Sequence, residues 1–180
     1  MEIMAEASEV KIELTYAMVM RALKLSKLQI RAIFISILQK PLPAEEDILP
    51  AEDILMLLAA DMLENLVFLQ PEQRTVILSG LRETASGPNE CPTCLNQLVF
   101  VESRYTTWTG QTGFVDLETG EQVMTLPHPP METIGYNLTE LYRRGVLRIE
   151  KKAGFHVKSN PNRVGEPGDV WQRASDVLPG

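Results

Sequence analysis

Apolar positions recur at helical spacing through the first half of the chain and alternate in short runs through the second. Ile12, Tyr16, Met20 and Leu23 share one helical face, which predicts an amphipathic helix over Ile12–Leu25. Ser26 and Gln29 have the spacing of a capping box, so a second helix is expected to start at Lys27. It should run to about Gln39, because Pro41 and Pro43 forbid continuation. Leu28, Ile30, Ile33, Phe34, Ile35, Ile37 and Leu38 coat most of its circumference, and such a helix belongs in a core or a dimer interface. Pro43–Pro50 reads as an acidic connector with one helical turn at Ala44–Asp47. Pro50 suits a first helical turn, and Glu52 and Asp53 suit the positive end of the helix dipole. Leu55, Leu58, Met62, Leu66 and Leu69 line one face of the helix that follows, predicted to reach about Leu69. Pro71 and Glu72 open a further helix to about Thr84, and Ser86-Gly87-Pro88 closes the helical half.

Beyond Cys91 the pattern is that of strands and turns. Gln97–Ser103 and Tyr105–Thr109 are rich in Val, Phe, Tyr, Trp and Thr, residues that suit a pleated surface. Phe114–Leu117 and Gln122–Leu126, joined at Glu118-Thr119-Gly120, read as a hairpin. Pro127-His128-Pro129-Pro130 is a rigid extended crossing. Asn137 with Glu140 caps a short helix that Gly145 is expected to end. Val146–Ile149, a turn over Lys151–Gly154 and Phe155–Val157 then predict a second hairpin. The tail from Ser159 is rich in Pro, Gly, Asn and charge, with Trp171 as its one potential anchor. The fold class expected is therefore α+β. A helical bundle of about four helices over 10–85 precedes a small antiparallel β-rich domain with one short helix over 88–158, and 159–180 is a flexible tail or arm.

Composition adds compartment and charge. With 44% hydrophobic and 23% charged residues in 180, the chain has globular composition and enough length to bury a core without disulfides. Its two cysteines point to a reducing, cytoplasmic setting. The acidic start (Glu2, Glu6, Glu9) is unlike a secretory signal, and the greasiest stretch, Leu55–Leu69, is broken by Asp61, Glu64 and Asn65 and cannot span a bilayer. The net charge of −7 hides an asymmetry. Residues 21–40 hold Arg21, Lys24, Lys27, Arg31 and Lys40 with no acid, and residues 141–163 are likewise basic, with Glu150 their one acid. Such patches face a polyanion or attract an acidic surface within the fold or oligomer.

Cys91-Pro92-Thr93-Cys94 carries the most pointed chemistry, since two thiolates on a tight turn fill two corners of a zinc tetrahedron. Followed by a hairpin, it resembles the knuckle that opens a zinc ribbon, although no second C-x-x-C follows. The remaining ligands available are His128 and His156, so a Cys91, Cys94, His128, His156 site is conceivable, as is a dimer sharing two pairs. A thioredoxin-like redox role is disfavoured because strands follow the motif rather than a helix. The Asn137–Val157 stretch, a capped helix followed by a hairpin, looks like the last helix and wing of a winged-helix DNA-binding domain. That resemblance implies that Arg143, Arg144, Arg148, Lys151, Lys152 and Lys158 neutralise phosphates. The opposing reading is a basic surface docked against the acidic middle of the same protein. The first two helices are spaced like a helix-turn-helix, but the second offers Ile, Phe and Leu where base-reading polar groups are needed.

Enzymatic readings are weak. His128 lies between prolines with no visible partner acid, and His156 alternates within a strand. Glu52-Asp53 and Glu45-Glu46-Asp47 read as helix-start and solubilising charges, because neighbours along a helix face apart. Thr109–Gly113 is spaced like a phosphate loop but lacks G-K-[ST]. The expectation is a non-enzymatic interaction or accessory protein that oligomerises or binds a protein partner through its helical half. The alternative is a nucleic-acid-binding regulator, zinc-stabilised at the C-x-x-C.

Overall fold

The computed structural model describes residues 13–84 and 97–154. Five helices and a five-stranded antiparallel sheet form a mixed α+β fold, with four of the helices in the N-terminal half. The first helix, α1 (Tyr16–Ala22), is shorter than its apolar spacing predicts. Thr15 caps it by accepting the Met18 N–H, and Ile12 lies outside the described residues. The capping box at Ser26 and Gln29 is present in both directions and starts α2 (Lys27–Ala32). The helix then widens into a π-helical stretch, Ile33–Leu38, that ends at Gln39 with a left-handed φ of 53°.

This widening explains how so greasy a segment is accommodated. Ile30, Ile33, Phe34, Ile37 and Leu38 are buried, while Leu28 and Ile35 are turned out to solvent. Just beyond, the Lys40 ammonium lies 2.8 Å from Asp53 and 3.4 Å from Glu52. Asp53 is buried and is no solubilising charge, contrary to the sequence reading. Its place on the inner side of the next helix makes Lys40 its counter-ion. The Pro43–Pro50 connector holds a turn closed by Asp47 N–H to Ala44 O at 3.1 Å rather than a helical turn. Pro50 caps α3 (Ala51–Glu64), which stops short of Leu69 because Asn65 donates its side-chain amide back to the Asp61 carbonyl and tight turns follow. The next helix, α4 (Pro71–Thr84), has the bounds that Pro71 and the apolar spacing predict.

The sheet has the order β4-β3-β2-β1-β5, from β1 (Gln97–Val101), β2 (Tyr105–Trp108), β3 (Phe114–Asp116), β4 (Gln122–Val123) and β5 (Thr133–Asn137). β3 and β4 are the hairpin that the sequence predicts, and β1 and β2 are the two strands expected at Gln97–Ser103 and Tyr105–Thr109, here paired with each other. The fifth is an addition to that expectation. Thr133-Ile134-Gly135-Tyr136-Asn137 is too short and too interrupted by Gly135 to announce a strand, and pairing with β1 supplies what local preference lacks. A tight turn sets it up. Glu102 and Ser103 adopt φ of 53° and 55° between β1 and β2, in the manner of a type I′ turn. Glu102 then accepts the Met131 N–H at 3.0 Å and meets His128 Nε2 at 3.0 Å, fastening the proline crossing that leads into β5. His128 therefore has a partner acid, twenty-six residues away in sequence and invisible there.

The largest departure is α5 (Leu138–Lys152). Asn137 caps it through the Glu140 N–H as expected, but the helix passes straight through Gly145 for fifteen residues. The strand over Val146–Ile149 and the turn beginning at Lys151 are thus helix, and Phe155–Val157 lies outside the described residues. Leu138, Tyr142, Val146 and Ile149 form a buried stripe at helical spacing, which outweighs the cost of about 1 kcal/mol for glycine inside a helix. The glycine is there for packing: a Cβ on Gly145 would overlap the Leu58 side chain of α3. One apolar core runs through both halves, from Val19, Phe34 and Leu57 to Phe100, Val146 and Ile149. Phe100 meets Phe68 edge-on at 5.3 Å, and Trp108 lies where a Cβ on Gly80 of α4 would be. No helix of the described residues is long and apolar enough to cross a membrane.

Gly145→Ala should therefore lower unfolding free energy by about 1–3 kcal/mol, the usual cost of overpacking, despite alanine's better helix propensity. Urea denaturation checks this; an unchanged or raised midpoint would show that the two helices are not in close contact.

Candidate functional site

Two basic segments more than a hundred residues apart in sequence converge at one carboxylate. Asp61 interrupts the apolar run of α3 and is nearly enclosed, and its Oδ1 accepts the Lys24 backbone N–H at 2.8 Å. Its Oδ2 accepts from the Arg148 guanidinium of α5 at 3.1 Å. A little further along, the Lys152 ammonium lies 3.5 Å from the Arg21 carbonyl. The loop between α1 and α2 and the last turns of α5 are thereby brought side by side. Asp61 counted in the sequence only as a break in a hydrophobic stretch; a lone acid on the inward side of such a helix was the available signal.

The cations proposed for nucleic acid are unequally placed. Glu140 takes up both Arg143 and Arg144, the latter at 2.7 Å through Nε, and Arg143 chiefly pushes the Glu140 carboxyl down to about 2. Arg148 is held by Asp61. Lys151 and Lys152 are exposed on the final turn, and Lys158 lies outside the described residues. With α5 continuous to Lys152, the first strand of the wing expected over 146–157 is helix instead, and 155–157 lie outside the described residues.

The metal candidates are not assembled within what is described. Cys91, Cys94 and His156 all lie outside the described residues. His128 sits half-exposed against Glu102, whose carboxyl is drawn below its usual range first by the Met131 N–H and then by His128. Among the described residues no three His, Cys, Asp or Glu side chains are grouped to hold a metal.

The surface with a definite character lies on α2 and its π-helical extension. Leu28, Ala32 and Ile35 all face outward, at the i, i+4, i+7 spacing of a helix–helix seam. Leu28 is 77% and Ile35 53% exposed, far from the nearly enclosed setting usual for such side chains. On the same helix or just before it stand the exposed Lys24, Lys27 and Arg31, whose side chains have no ion-pair partner among the described residues. The same helix is tightly fixed from behind by Phe34, which meets Tyr16 edge-on at 5.9 Å, and by Ile30 and Ile37. The result is a rigid apolar stripe in a basic frame. No family model matches the chain, and no curated protein or solved structure is significantly similar to it.

One buried group stands apart from this face. Glu150 of α5 is fully enclosed, and neither carboxylate oxygen has a hydrogen-bond partner among the described residues. Burial pushes its pKa from 4.5 up to about 7. A raised carboxyl pKa means that the folded protein favours the protonated form, so this contribution to stability is complete below pH 4.5. It declines as pH rises toward about 7 and is constant above that. Glu150→Gln should flatten that decline and raise stability at pH 8 by roughly 3 kcal/mol. Equal pH slopes for the two proteins in urea titrations would contradict it.

Asp61→Ala removes the acceptor shared by Lys24 and Arg148 and should cost about 2 kcal/mol. Asp61→Asn, which keeps an acceptor for the Lys24 N–H, should cost about half of that. Two equal losses in a denaturation series would show that the side-chain oxygen at Lys24 contributes nothing.

Proposed function

We propose that the protein is a non-enzymatic interaction protein that docks a protein partner through its helical half, on the outward stripe of α2. The observation that carries this reading is the exposure of Leu28 and Ile35 in line on a helix otherwise locked into the core. An amphipathic helix laid along Leu28, Ala32 and Ile35 would remove that apolar area from water at roughly 25 cal/mol per Å².

Charge selects the kind of partner. Pairing of two copies stripe to stripe would bring Lys24, Lys27 and Arg31 of each toward like charges, with no acid on the stripe to relieve them. A heterologous segment with acidic flanks meets no such penalty. Nucleic acid is the less favoured ligand, because an apolar seam through the middle of the basic frame gains nothing from phosphates. Arg143, Arg144 and Arg148 are, moreover, already occupied by Glu140 and Asp61.

The test is a titration of the full chain with a synthetic helical peptide carrying leucines at i, i+4 and i+7 flanked by glutamates. The controls are its lysine-for-glutamate counterpart and a short DNA duplex. Only the acidic peptide should bind, and the double change Leu28→Glu and Ile35→Glu should weaken it at least about tenfold, a difference of about 1.4 kcal/mol, without altering the circular dichroism spectrum. Tighter, steeply salt-dependent binding of the duplex would overturn the reading in favour of a nucleic-acid regulator.

A further inference from the structure

We propose that β5 is a self-association edge: two copies of the chain pair antiparallel along it about a two-fold axis at Gly135, joining their sheets into one. The inference is independent of the α2 stripe.

The backbone leaves this edge open. β1 lies between β2 and β5, and in antiparallel pairing its residues bond alternately to the two neighbours. The Thr109 N–H donates to the Gln97 carbonyl, which turns Gln97, Val99 and Val101 toward β2. On the other side the Glu102 N–H donates to the Glu132 carbonyl at 3.1 Å, which turns Leu98, Phe100 and Glu102 toward β5. By the register of the pair, Ile134 and Tyr136 then bond to β1, while Thr133, Gly135 and Asn137 present their backbone groups outward. Among the described residues nothing bonds to these three N–H groups or to the carbonyls of Thr133 and Gly135.

The edge matches itself. Read from either end, Thr133-Ile134-Gly135-Tyr136-Asn137 runs polar, apolar, glycine, apolar, polar. A two-fold axis at Gly135 sets Thr133 opposite Asn137 of the second copy and Ile134 opposite its Tyr136, as an isologous contact requires. Ile134 and Tyr136 lie on the face that carries the buried Leu98 and Phe100, and Tyr136 meets Phe100 edge-on at 6.0 Å. Ile134 is 38% exposed at the rim of that face, and pairing lays the tyrosine of the second copy against it.

Nothing guards this edge. Exposed edges are commonly blunted by charge, proline, a bulge or brevity. The opposite edge, β4, has two residues, whereas β5 has five with neither charge nor proline among them. The adjoining acid, Glu132, stands three residues from the axis. The glutamates of the two copies are therefore about 20 Å apart, beyond the screening length of about 10 Å at 0.1 M salt. Self-pairing here escapes the repulsion that separates two α2 stripes.

Gly135 supplies a second observation. Among the described glycines it alone has neither a positive φ nor a neighbour that an added Cβ would overlap; the nearest atom, Val99 Cγ2, is 3.9 Å away. One chain by itself gives no reason for a glycine in mid-strand, where it weakens the strand. Pairing gives one, because at the axis each copy meets the same residue of the other, and a bare backbone admits the closest approach.

Sedimentation of the full chain at concentrations up to about 1 mM tests the proposal. The parent should show a reversible monomer–dimer equilibrium. Gly135→Lys and Gly135→Glu each set like charges face to face at the axis, and each should raise the dimer dissociation constant at least about tenfold. An equal mixture of the two should restore dimers, now mixed, because opposite charges then meet. Amide exchange of the parent gives a readout without substitution: protection at Thr133, Gly135 and Asn137 should rise with concentration, while Ile134 and Tyr136, bonded to β1, stay as they are. A parent that remains monomeric, or exchange at Thr133, Gly135 and Asn137 that ignores concentration, would overturn the proposal. So would dimers that both Gly135 variants leave intact, a mixture that stays monomeric, or loss of the dimer in Leu28→Glu with Ile35→Glu, which would move the contact to α2.

Discussion

The structure depends on α5 lying close against α3. Gly145 permits that approach by presenting bare backbone to Leu58, and one turn later Arg148 reaches Asp61 on the same face of α3. The apolar contact sets the separation of the two helices, and the ion pair fixes their relative position along the axis. Because Asp61 also accepts the Lys24 N–H, the loop between α1 and α2 is placed by the same carboxylate. Position of the α2 stripe therefore follows from a contact between two other helices. A nearly enclosed carboxylate is costly unless it is fully hydrogen-bonded, and a charged guanidinium together with a backbone amide meets that need.

Much of the first half was legible because its signals are local. The capping box at Ser26, the prolines at positions 50 and 71, and the apolar spacing of α4 act within a turn or two, and each marks a real boundary. The strands β1 and β2 and the hairpin of β3 with β4 were legible for the same reason. What could not be read was set by distant partners. Gly145 reads locally as a helix stop, and only Leu58, on another helix, makes it a packing residue. β5 takes its strand form from pairing along β1, and His128 acquires Glu102 through a turn in a different part of the chain. The buried side of Asp53 was hidden because Lys40 lies across the proline connector.

The stripe was half legible. The sequence shows a helix that is greasy nearly all round, and it follows that the helix is buried or paired. It does not show that the π-helical widening at Ile33–Leu38 redistributes those side chains. An added residue per turn shifts everything after it around the axis. Phe34, Ile37 and Leu38 enter the core while Ile35 is left outside in line with Leu28 and Ala32. π-helical turns carry poorer hydrogen-bond geometry than α-helix and persist where something offsets that cost. Here burial of Phe34 against Tyr16 and of Leu38 in the core supplies the offset, and the exposed seam is its by-product on the other face.

Charge then separates what this seam can hold from what it excludes. Ionic contacts at a rim contribute little affinity but strongly penalise the wrong neighbour. With acids dominating the rest of a chain of net charge −7, a basic frame around an apolar seam repels its own image and attracts the protein's more typical acidic surface. On the docking reading proposed above, the consequence is selectivity rather than strength: the leucine and isoleucine give any amphipathic helix a reason to bind, and the lysines and arginines decide which helix does. A frame of neutral residues would leave the same seam open to self-association, the common fate of exposed apolar stripes. The unpaired state of Lys24, Lys27 and Arg31 among the described residues is thus informative, because cations paired within the fold, as Arg143 and Arg144 are with Glu140, keep less of that discriminating power.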